Sequence, residues 1–467
     1  MSAQVFKLRT FRPLADIVER VRGEERFAFL DSSMPGAQGR YSILGLFPYL
    51  VIEHGRGGCL VDGVAVEGDF FDVVKKRLGP CDGAPDPRLP LTGGAIGYLG
   101  YDFGRESCGV PTRHDPVAAT PEASMVFYDL LLIEDIRSRS LFCCCQGRTM
   151  TAAHALTWAQ DLVDSCPPAP HPARRRSLAP CSCDFTRAGY GDALARLVDH
   201  LRAGDAYVVN MAQRLRLETS ESSYAIYRYL RTHNPAPFSA YLRAPGLDVC
   251  CSSMERFMEI RSGHVVTRPI KGTRPRGGTP DEDRANREEL ARSEKDHSEL
   301  LMVVDLERND LSIVCEPGSV GTDPDFAIET YPSVFHLVAT VEGTLRKDRC
   351  AVDAVRAAFP TGSITGAPKV RAMQIIDELE RAPRGLYTGS IGYFSDTGDC
   401  DFNVVIRTIV REGGETSLGV GGGITVESDF DFEYDETMQK ARALREAASV
   451  DRGSVGEYNR GQNEWLC

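Results

Sequence analysis

The sequence predicts an α+β fold, in which helices accompany mostly antiparallel strands. Residues 240–270 have the pattern of antiparallel strands, with a turn signal at Ser262-Gly263. Tyr190–Ala203 instead repeats leucine at helical spacing and is followed by Gly204, which predicts a helix. Four later segments are β-branched and alternating and are predicted as strands: 334–345, 388–395, 400–412 and 416–426.

The other elements follow from local patterns in chain order. Tyr49–Glu53 and Met125–Glu134 are strand-like runs in the first third of the chain. Pro280–Ser312 predicts one long, charged helical region, because acidic residues lie near its start and an apolar stripe runs along it. Asp435–Ala448 predicts a closing helix with an apolar inner face.

A segment rich in proline, serine and arginine divides the chain. Residues 166–184 lack apolar periodicity, and we expect a linker there. Residues 1–165 are expected to form an amino-terminal region that packs on the core, and residues 185–449 the region that carries the candidate site. Residues 450–467 are polar and predict a flexible tail.

The composition excludes several classes of function. The 467 residues carry a net charge of −12, which repels nucleic acid and anionic membranes, so neither is expected as a partner. Met1–Pro13 lacks a signal-peptide pattern, and no apolar run approaches the length of a membrane-spanning helix. The 15 cysteines are odd in number and form no C-x-x-C pair, so we expect reduced thiols in a cytoplasmic protein.

Lys271 lies in a tightly framed motif, Arg268-Pro-Ile-Lys-Gly-Thr273. Val265–Thr267 before it predict a strand end, and Gly272 and Pro275 predict a turn, so the lysine is expected at the rim of a sheet. Such limited backbone freedom suits a nucleophilic amine that must meet one carbon of a bound substrate. In isolation the residue would be interpreted as a solvated cation, and the neighbouring motifs decide between the two.

Two glutamates on separate predicted helices, Glu299 and Glu436, are candidate ligands for Mg²⁺. This hard cation takes one or two carboxylates and keeps several waters. The alternative is an ordinary helical salt bridge, such as Glu436 with Lys440 at i,i+4. An anionic substrate would need such a metal or a local positive charge, because the chain as a whole is negative.

A glycine run supplies a candidate anion site. Gly421, Gly422 and Gly423 follow a predicted strand, and consecutive glycines leave backbone N–H groups free to bind a carboxylate or phosphate. Arg407, inside the predicted strand Val404–Ile409, is a candidate fork for a carboxylate, and Tyr387 offers a hydroxyl. The alternatives are a plain turn, a solvated arginine and a packed tyrosine.

Several long runs, in order along the chain, together resemble the chorismate-utilising enzymes. They are Arg268–Thr273, Ser293–Asp310 (SEKDHSELLMVVDLERND), Phe359–Met373 (FPTGSITGAPKVRAM), Gly389–Tyr393, Gly421–Thr425 and Asp435–Lys440. Weaker similarity at Leu30–Leu44 and Gly93–Arg105 extends the resemblance over nearly the whole chain. It implies an α+β architecture of two large, mostly antiparallel sheets packed face to face, with helices outside.

Within that family, the frame around Lys271 resembles the aminodeoxychorismate synthase component I branch, which leads to para-aminobenzoate and folate. Anthranilate synthases read P-I-A-G-T there, with alanine instead of lysine. The resemblance implies that Lys271 attacks C2 of chorismate while the C4 hydroxyl leaves, and that ammonia then enters at C4 and releases the lysine. The amine must be neutral to attack, so its pKa must fall from about 10.4.

The resemblance also implies roles for other residues of the site. Glu255, in Ser252–Phe257, matches the glutamate that acts as the acid, and His336 matches a histidine that assists proton transfer. Glu299 and Glu436 hold Mg²⁺ against the ring carboxylate. Gly272 and Thr273 close over the ring, and the enolpyruvyl side is held by Arg407, Tyr387 and the amides of Gly421, Gly422 and Gly423.

Two residues depart from the family pattern. Met254 stands where proline is usual, which is expected to loosen the turn that presents Glu255. Val208 stands where relatives commonly have glutamine and isochorismate-forming relatives have lysine. The absent lysine argues against activation of water at C2, and the absent glutamine alters how the bound ring is hydrogen-bonded.

A second pocket is implied near the amino terminus. Six residues resemble the tryptophan site of the family: Ser32, Arg40, Tyr41, Pro237, Phe238 and Ser239. The alternative is a hydrophobic seam between the amino-terminal region and the core.

The resemblance implies conversion of chorismate and ammonia to 4-amino-4-deoxychorismate. No glutamine amidotransferase segment with a nucleophilic cysteine precedes the core, so a separate glutaminase partner is expected to supply the ammonia. Two alternatives remain open. One is anthranilate synthase component I, which gives an aromatic product, and the other is a non-catalytic, tryptophan-binding paralogue.

Overall fold

The computed structural model describes residues 3–450, apart from 37, 56, 81–85, 116–119, 176, 324 and 332–333. The predicted tail, 450–467, lies outside the described residues beyond Val450. The helices of the described part are α1 (Leu14–Val21), α2 (Phe70–Leu78), α3 (Tyr101–Ser107), α4 (Ala152–Ser165), α5 (Arg187–Arg202), α6 (Ser223–His233), α7 (Pro280–Arg292), α8 (Glu294–Ser312), α9 (Ala351–Ala358), α10 (Lys369–Leu379) and α11 (Phe430–Ala448).

The strands of the described part outnumber the helices. They are β1 (Gln4–Lys7), β2 (Phe27–Asp31), β3 (Tyr41–Gly55), β4 (Gly58–Val61), β5 (Val64–Ala65), β6 (Gly94–Leu99), β7 (Ala123–Asp135), β8 (Ser140–Cys145), β9 (Cys181–Cys183), β10 (Val208–Leu217), β11 (Phe238–Ala244), β12 (Leu247–Ser253), β13 (Arg256–Arg261), β14 (His264–Arg268), β15 (Ile270–Pro275), β16 (Gly321–Thr322), β17 (Ala327–Thr330), β18 (Val334–Val338), β19 (Val341–Thr344), β20 (Gly366–Ala367), β21 (Ser390–Ser395), β22 (Cys400–Asn403), β23 (Thr408–Glu412) and β24 (Glu415–Ile424).

Strand pairing confirms the predicted α+β class with a large antiparallel sheet. Hydrogen bonds connect 21 of the described strands into one large sheet, and β15, β18 and β17 form a separate three-stranded sheet. The long neighbours β3 and β7 pair antiparallel from Tyr41 opposite Asp135 to His54 opposite Ala123. The strands of the small sheet are antiparallel as well, and this sheet carries Lys271.

Strands from the amino-terminal region are hydrogen-bonded to strands from the rest of the chain. β2 pairs with β11 and β6 pairs with β21, both antiparallel. The division of the chain at residues 166–184 stays a prediction. Within that predicted linker, Cys181–Cys183 forms β9 and adds to the edge of β10.

Alternate residues of the strands face two different cores. In β7, Leu130 and Leu132 belong to the larger core, whereas Leu131 and Ile133 belong to the smaller one. The smaller core also takes residues from β3, β11 and β12, so strands from the two halves of the chain pack on one another. The buried cysteines, including Cys143, lie in these cores as free thiols.

The predicted helix over Pro280–Ser312 is wrong in one respect, because Ser293 divides it into α7 and α8. Ser293 has an extended backbone, and its side chain accepts a hydrogen bond from the N–H of Asp296, so it caps the start of α8. The α7 helix begins with a full capping box between Thr279 and Glu282. Each helix can therefore meet the small sheet at its own angle.

Two predicted strands are also divided. The segment 334–345 forms β18 and β19, and the segment 400–412 forms β22 and β23. The last helix begins five residues before the predicted Asp435, because Asp429 caps it by accepting a hydrogen bond from the N–H of Phe432. In the described part of the chain, no helix has the length and apolar character needed to span a membrane.

Candidate active site

Lys271 lies on an edge strand of the small sheet, and Gly272 and Pro275, which were predicted as a turn, belong to the same strand. Lys271 is the second residue of β15 and is paired with Leu337, while Thr273 is paired with His336. The register shifts between Lys271 and Thr273, and Gly272 between them has a φ of +73°, which favours glycine. A Cβ atom on Gly272 would lie 2.9 Å from the side chain of Asp296 in α8, so glycine also allows this helix to approach.

The amine of Lys271 is drawn into the interior. Its Nζ donates to the carbonyl oxygen of Ser363 at 3.1 Å. Burial lowers the pKa of Lys271, against the opposing charges of Glu299 and Glu255. A lowered pKa increases the fraction of neutral amine, which is the form that can attack carbon.

Glu255 lies between β12 and β13 and is 5% exposed. Burial raises the pKa of Glu255 to about 7, and the opposing effects of the Ser363 hydroxyl and the Lys271 amine do not offset it. The alternative of a salt bridge to Arg256 is wrong, since that guanidinium binds both oxygens of Asp401 at 3.0 Å. Glu255 is therefore a protonated or readily protonated acid beside the lysine.

His336 is buried in β18, next to the lysine strand. Its Nδ1 lies 3.0 Å from the Thr273 hydroxyl, and its Nε2 lies 2.8 Å from the sulfur of Met254. Burial lowers the pKa of His336 to about 3, and the positive charge of Arg407 acts in the same direction. The imidazole is therefore neutral near pH 7. Met254, which replaces the usual proline, is itself buried and supports this ring.

Glu299 on α8 and Glu436 on α11 are brought together, and each also has a lysine one helical turn away. Glu299 lies 3.8 Å from Lys295, and Glu436 lies 2.9 Å from Lys440, as the salt-bridge alternative predicts. Burial raises the pKa of Glu299, and the charge of Glu436 contributes in the same direction. Two carboxylates that repel each other in a half-buried cleft suit a divalent cation.

The pKa of Glu436 shifts the other way. Burial acts to raise this pKa, but the Lys440 and Arg407 side chains outweigh it, and the pKa ends below its ordinary value. Glu436 is thus an ionised carboxylate at neutral pH. It meets the hard-oxygen preference of Mg²⁺ without needing to lose a proton first.

Arg407 was predicted inside a strand, and this prediction is wrong. It precedes β23 and has a φ of +51°, which interrupts the strand, although its carbonyl oxygen still accepts from the N–H of Ser252 in β12 at 3.1 Å. Its Nη1 donates to the carbonyl oxygen of Lys440 at 2.7 Å. Burial lowers the pKa of Arg407, and the charges of Tyr387 and Glu436 oppose this shift. The guanidinium therefore lies near two of the other predicted site residues.

Tyr387 lies across β24. A Cβ atom on Gly419 would fall 2.2 Å from Cγ of the Tyr387 ring, so only glycine lets the ring occupy this place. Burial raises the pKa of Tyr387 to about 12, which keeps the hydroxyl protonated as a hydrogen-bond donor.

The glycine run lies within β24, in the segment 416–426 that was predicted as a strand, so the prediction that these glycines follow a strand is wrong. Gly421, Gly422 and Gly423 pair with residues of β10, up to Gly423 opposite Asn210. The pairing with β23 covers only the part of β24 up to Leu418. Among the described strands, only β10 is therefore hydrogen-bonded to this glycine-rich part of β24. The opposite edge of β24 is left for a bound anion.

The glycines also make room for the lysine. A Cβ atom on Gly423 would lie 3.1 Å from Nζ of Lys271 and 3.6 Å from a methyl group of Val208. Val208 is 2% exposed, so the position that departs from the family pattern lines the wall next to the amine.

Three further residues belong to the same cleft but were not among the predicted site residues. Lys440 donates to the carbonyl oxygen of Gly421 at 2.9 Å as well as pairing with Glu436. Glu433, one turn before Glu436, accepts a hydrogen bond from Ser428 at 2.7 Å. Ser363 lies under the lysine. Only the run Phe359–Met373 signalled Ser363, without singling out one residue.

The six residues of the predicted second pocket line one cavity of about 550 Å³. Its polar rim is largely self-paired, because Arg40 binds Asp135 and the hydroxyl of Ser32 donates to the carbonyl oxygen of Tyr41 at 2.7 Å. A space of this size, lined by Phe238 and Pro237, suits a small aromatic ligand. Binding of tryptophan there stays a prediction.

Comparisons with known proteins agree with this geometry. The family model described as chorismate binding enzyme matches residues 64–446. Aminodeoxychorismate synthase component 1 of Klebsiella aerogenes is 39% identical over 416 residues, which cover 87% of this chain and 90% of that protein. Anthranilate synthase component 1 1 of Haloarcula marismortui is 37% identical over 450 residues, which cover 93% and 90%.

A solved structure gives the same result for the fold. The crystal structure of anthranilate synthase component I from Streptococcus pneumoniae superposes with a TM-score of 0.78 at 28% identity, covering 88% of this chain and 93% of that one. The matched region includes every candidate residue from Lys271 to Glu436. The chain belongs to the chorismate-binding enzyme family.

Proposed function

We propose that this chain aminates chorismate to 4-amino-4-deoxychorismate through a covalent adduct at Lys271. The observation that carries the proposal is that burial lowers the pKa of the Lys271 amine next to the buried acid Glu255. The motif around Lys271 also differs from that of anthranilate synthases, which have alanine in place of the lysine. Relatives named as aminodeoxychorismate synthases support the same choice.

The first half of the reaction joins the enzyme to the ring. The neutral Lys271 amine bonds to C2, the ring double bond shifts, and the bond from C4 to its hydroxyl breaks. The proton of Glu255 joins the departing oxygen, which leaves as water. The adduct nitrogen carries a positive charge, and Glu255 becomes a carboxylate beside it.

The second half restores the enzyme. Ammonia bonds to C4, the double bond shifts back, and the bond from C2 to Nζ breaks, which returns a neutral lysine. The Glu255 carboxylate then takes one proton from the new C4 ammonium group, so the acid is regenerated. His336 stays neutral and acts through its contacts with Thr273 and Met254, not as a cation.

The substrate would be held at its two anionic ends. Arg407, Tyr387 and the open edge of β24 would bind the enolpyruvyl carboxylate through charge and hydrogen bonds. Glu299 and Glu436 would hold Mg²⁺, which supplies positive charge for the ring carboxylate. This arrangement solves the problem of binding an anion in a chain with a net charge of −12.

The ammonia would come from a separate glutaminase subunit. The relatives named as component 1 support an assembly with a second component. Free ammonium would replace this partner less efficiently, because ammonium at neutral pH contains little free ammonia.

Anthranilate synthase activity is the second candidate, since relatives with that name are 37% and 34% identical. The products separate the two functions. Incubation with chorismate, Mg²⁺ and ammonium should give the non-aromatic amine by mass spectrometry, without ortho-aminobenzoate fluorescence. Fluorescence in the absence of any lyase would reject the proposal, and absence of turnover together with tight tryptophan binding would favour a non-catalytic role.

Intact-mass analysis tests the covalent step directly. Chorismate and Mg²⁺ without an amine should produce an adduct that maps to Lys271, and Lys271→Ala should lose it. Lys295→Ala is a matched control on the rim of the cleft, because its amine lies near Glu299 but outside the predicted attack. An adduct that persists in Lys271→Ala would contradict the proposed nucleophile.

A further inference from the structure

Two buried oxygen atoms beside the lysine make no hydrogen bond of ordinary distance and angle with the described residues, although one of them lies close enough to the other's carboxyl group to lower its pKa. They are Oε1 of Glu255 and Oγ of Ser363. The two residues are 5% and 4% exposed, respectively. Buried polar atoms are nearly always hydrogen-bonded in folded proteins, so these two oxygens are free to form a hydrogen bond with each other.

The backbone of Ser363 is fixed against the lysine. It lies in a short 3₁₀ turn, Gly362–Ile364, and its carbonyl oxygen accepts from Nζ of Lys271 and from Nδ2 of Asn210, both at 3.1 Å. Two donors on one carbonyl hold the residue in place. The hydroxyl on the same residue lies close enough to Glu255 to lower the pKa of that carboxyl.

A second buried carboxyl anchors this turn from behind. The Thr361 hydroxyl caps the turn by accepting from the N–H of Ser363 and donates to Oε1 of Glu307 at 2.7 Å. Glu307 is 4% exposed and belongs to α8, the helix that also carries Glu299. The position of Ser363 is thus set by Lys271 and by Thr361 with Glu307, and the last two lie outside the predicted substrate contacts.

We propose that Ser363 is a positioning residue for Glu255, whose hydroxyl donates to the Glu255 carboxylate once that group has given its proton to the departing C4 hydroxyl. This inference rests on the proposed function. No bond is made to Ser363, and its own proton stays on Oγ. The proton lost by Glu255 leaves in water and returns to Glu255 from the C4 ammonium group in the second half of the reaction.

The electrostatics of the pair agree with this role. The Ser363 hydroxyl lowers the pKa of Glu255, against the larger opposite effect of burial, so it stabilises the ionised form. Without the hydroxyl, a carboxylate formed in this place would have one donor fewer in a site that excludes water. Loss of the proton would then be less favourable.

Ser363→Ala, Ser363→Thr and the wild-type chain test the proposal with saturating ammonium. Ser363→Ala should lower kcat by about ten- to a hundredfold and leave KM for chorismate within about twofold. Ser363→Thr keeps the hydroxyl and should recover most of the loss. Ser124→Ala is the matched control, because Ser124 is also a buried serine with an unpartnered hydroxyl but lies in β7.

A titration that needs no turnover separates this inference from the proposed function. Infrared difference spectra of the Glu255 carboxyl, assigned with Glu255→Gln, should show a higher pKa in Ser363→Ala than in the wild type or Ser363→Thr. An unchanged titration, or a kcat for Ser363→Thr as low as that for Ser363→Ala, would overturn the role of Ser363. A wild-type chain that makes no aminated product would reject the proposed function even if the titration shifts.

Discussion

Among the described residues, three buried glutamates have a pKa near neutral pH. Burial raises the pKa of Glu134, Glu255 and Glu307 to about 7 in each case. Glu255 has a chemical use for that proton, whereas Glu134 lies in β7 and accepts a hydrogen bond from the N–H of Leu14 at 2.8 Å. The raised pKa of Glu134 should therefore affect the stability of the protein and not its catalysis.

Glu134→Gln should change the pH dependence of stability. The folded pKa of Glu134 is about 7 and the unfolded value is about 4.5, so its favourable contribution is complete below about pH 4.5 and is lost as pH rises through 7. The wild type should lose up to about 3 kcal/mol relative to Glu134→Gln between pH 5 and pH 8. Urea unfolding at both pH values measures this difference, and an equal difference at both would contradict it.

Glu299→Gln should weaken the metal requirement of the site without unfolding it. The substitution keeps size but removes one of two facing carboxylates, so the Mg²⁺ concentration for half-maximal activity should rise by about ten- to a hundredfold. Glu294→Gln, at the exposed start of the same helix, should leave that concentration unchanged. Equal Mg²⁺ dependence in Glu299→Gln and the wild type would exclude this residue as a ligand.

Single residues within contiguous motifs could be predicted from the sequence, and residues defined by distant contacts could not. Lys271, Glu255 and His336 each lie in a recognisable run, and the structure brings them together. Lys440 looked like an ordinary helical partner of Glu436. Its second contact, to the carbonyl oxygen of Gly421, depends on how α11 packs on β24 and has no local signal.

Strand β24 shows how one element can be both scaffold and binding surface. Gly419, Gly421 and Gly423 lie on one face of this strand, where Tyr387 and Lys271 approach the backbone. Alternation over 416–426 predicted this strand, whereas the consecutive glycines within it favoured a turn, because glycine weakens isolated strands. The ladder with β10 supplies the stability that the residues themselves lack, and this long-range pairing is absent from any local window.

Gly419→Ala should therefore damage substrate binding more than folding. The added Cβ would lie 2.2 Å from Cγ of Tyr387 and would push the ring from its place. We expect kcat/KM for chorismate to fall by about ten- to a hundredfold with a normal far-ultraviolet circular dichroism spectrum. Ser417→Ala on the same strand is the control. Wild-type kinetics in Gly419→Ala would show that Tyr387 does not contact the substrate.

At the scale of the whole molecule, the amino-terminal strands complete the sheet that carries the site. β2 adds to β11, β6 adds to β21, and both halves contribute to the smaller core. The sequence predicted a region that packs on the core, but pattern alone does not reveal which strands become hydrogen-bonded neighbours. Register between remote segments depends on tertiary packing, which local periodicity does not encode.

The two halves should consequently unfold together. Hydrogen exchange along a urea series should show peptides from β2 and β11 losing protection at the same urea concentration, because the two strands share a ladder and a core. Peptides from β6 and β21 should behave in the same way. Loss of protection in β2 and β6 at clearly lower urea would indicate an independent amino-terminal unit.

The pairing of β2 with β11 also affects how the chain folds while it is being synthesised. One side of β2 can pair at once with β3, but its other side waits for a strand that is roughly two hundred residues away. At ordinary translation rates this delay is on the order of 10–40 s. During that time the nascent chain carries an open, apolar β-edge, a site at which chaperones can bind or chains can aggregate.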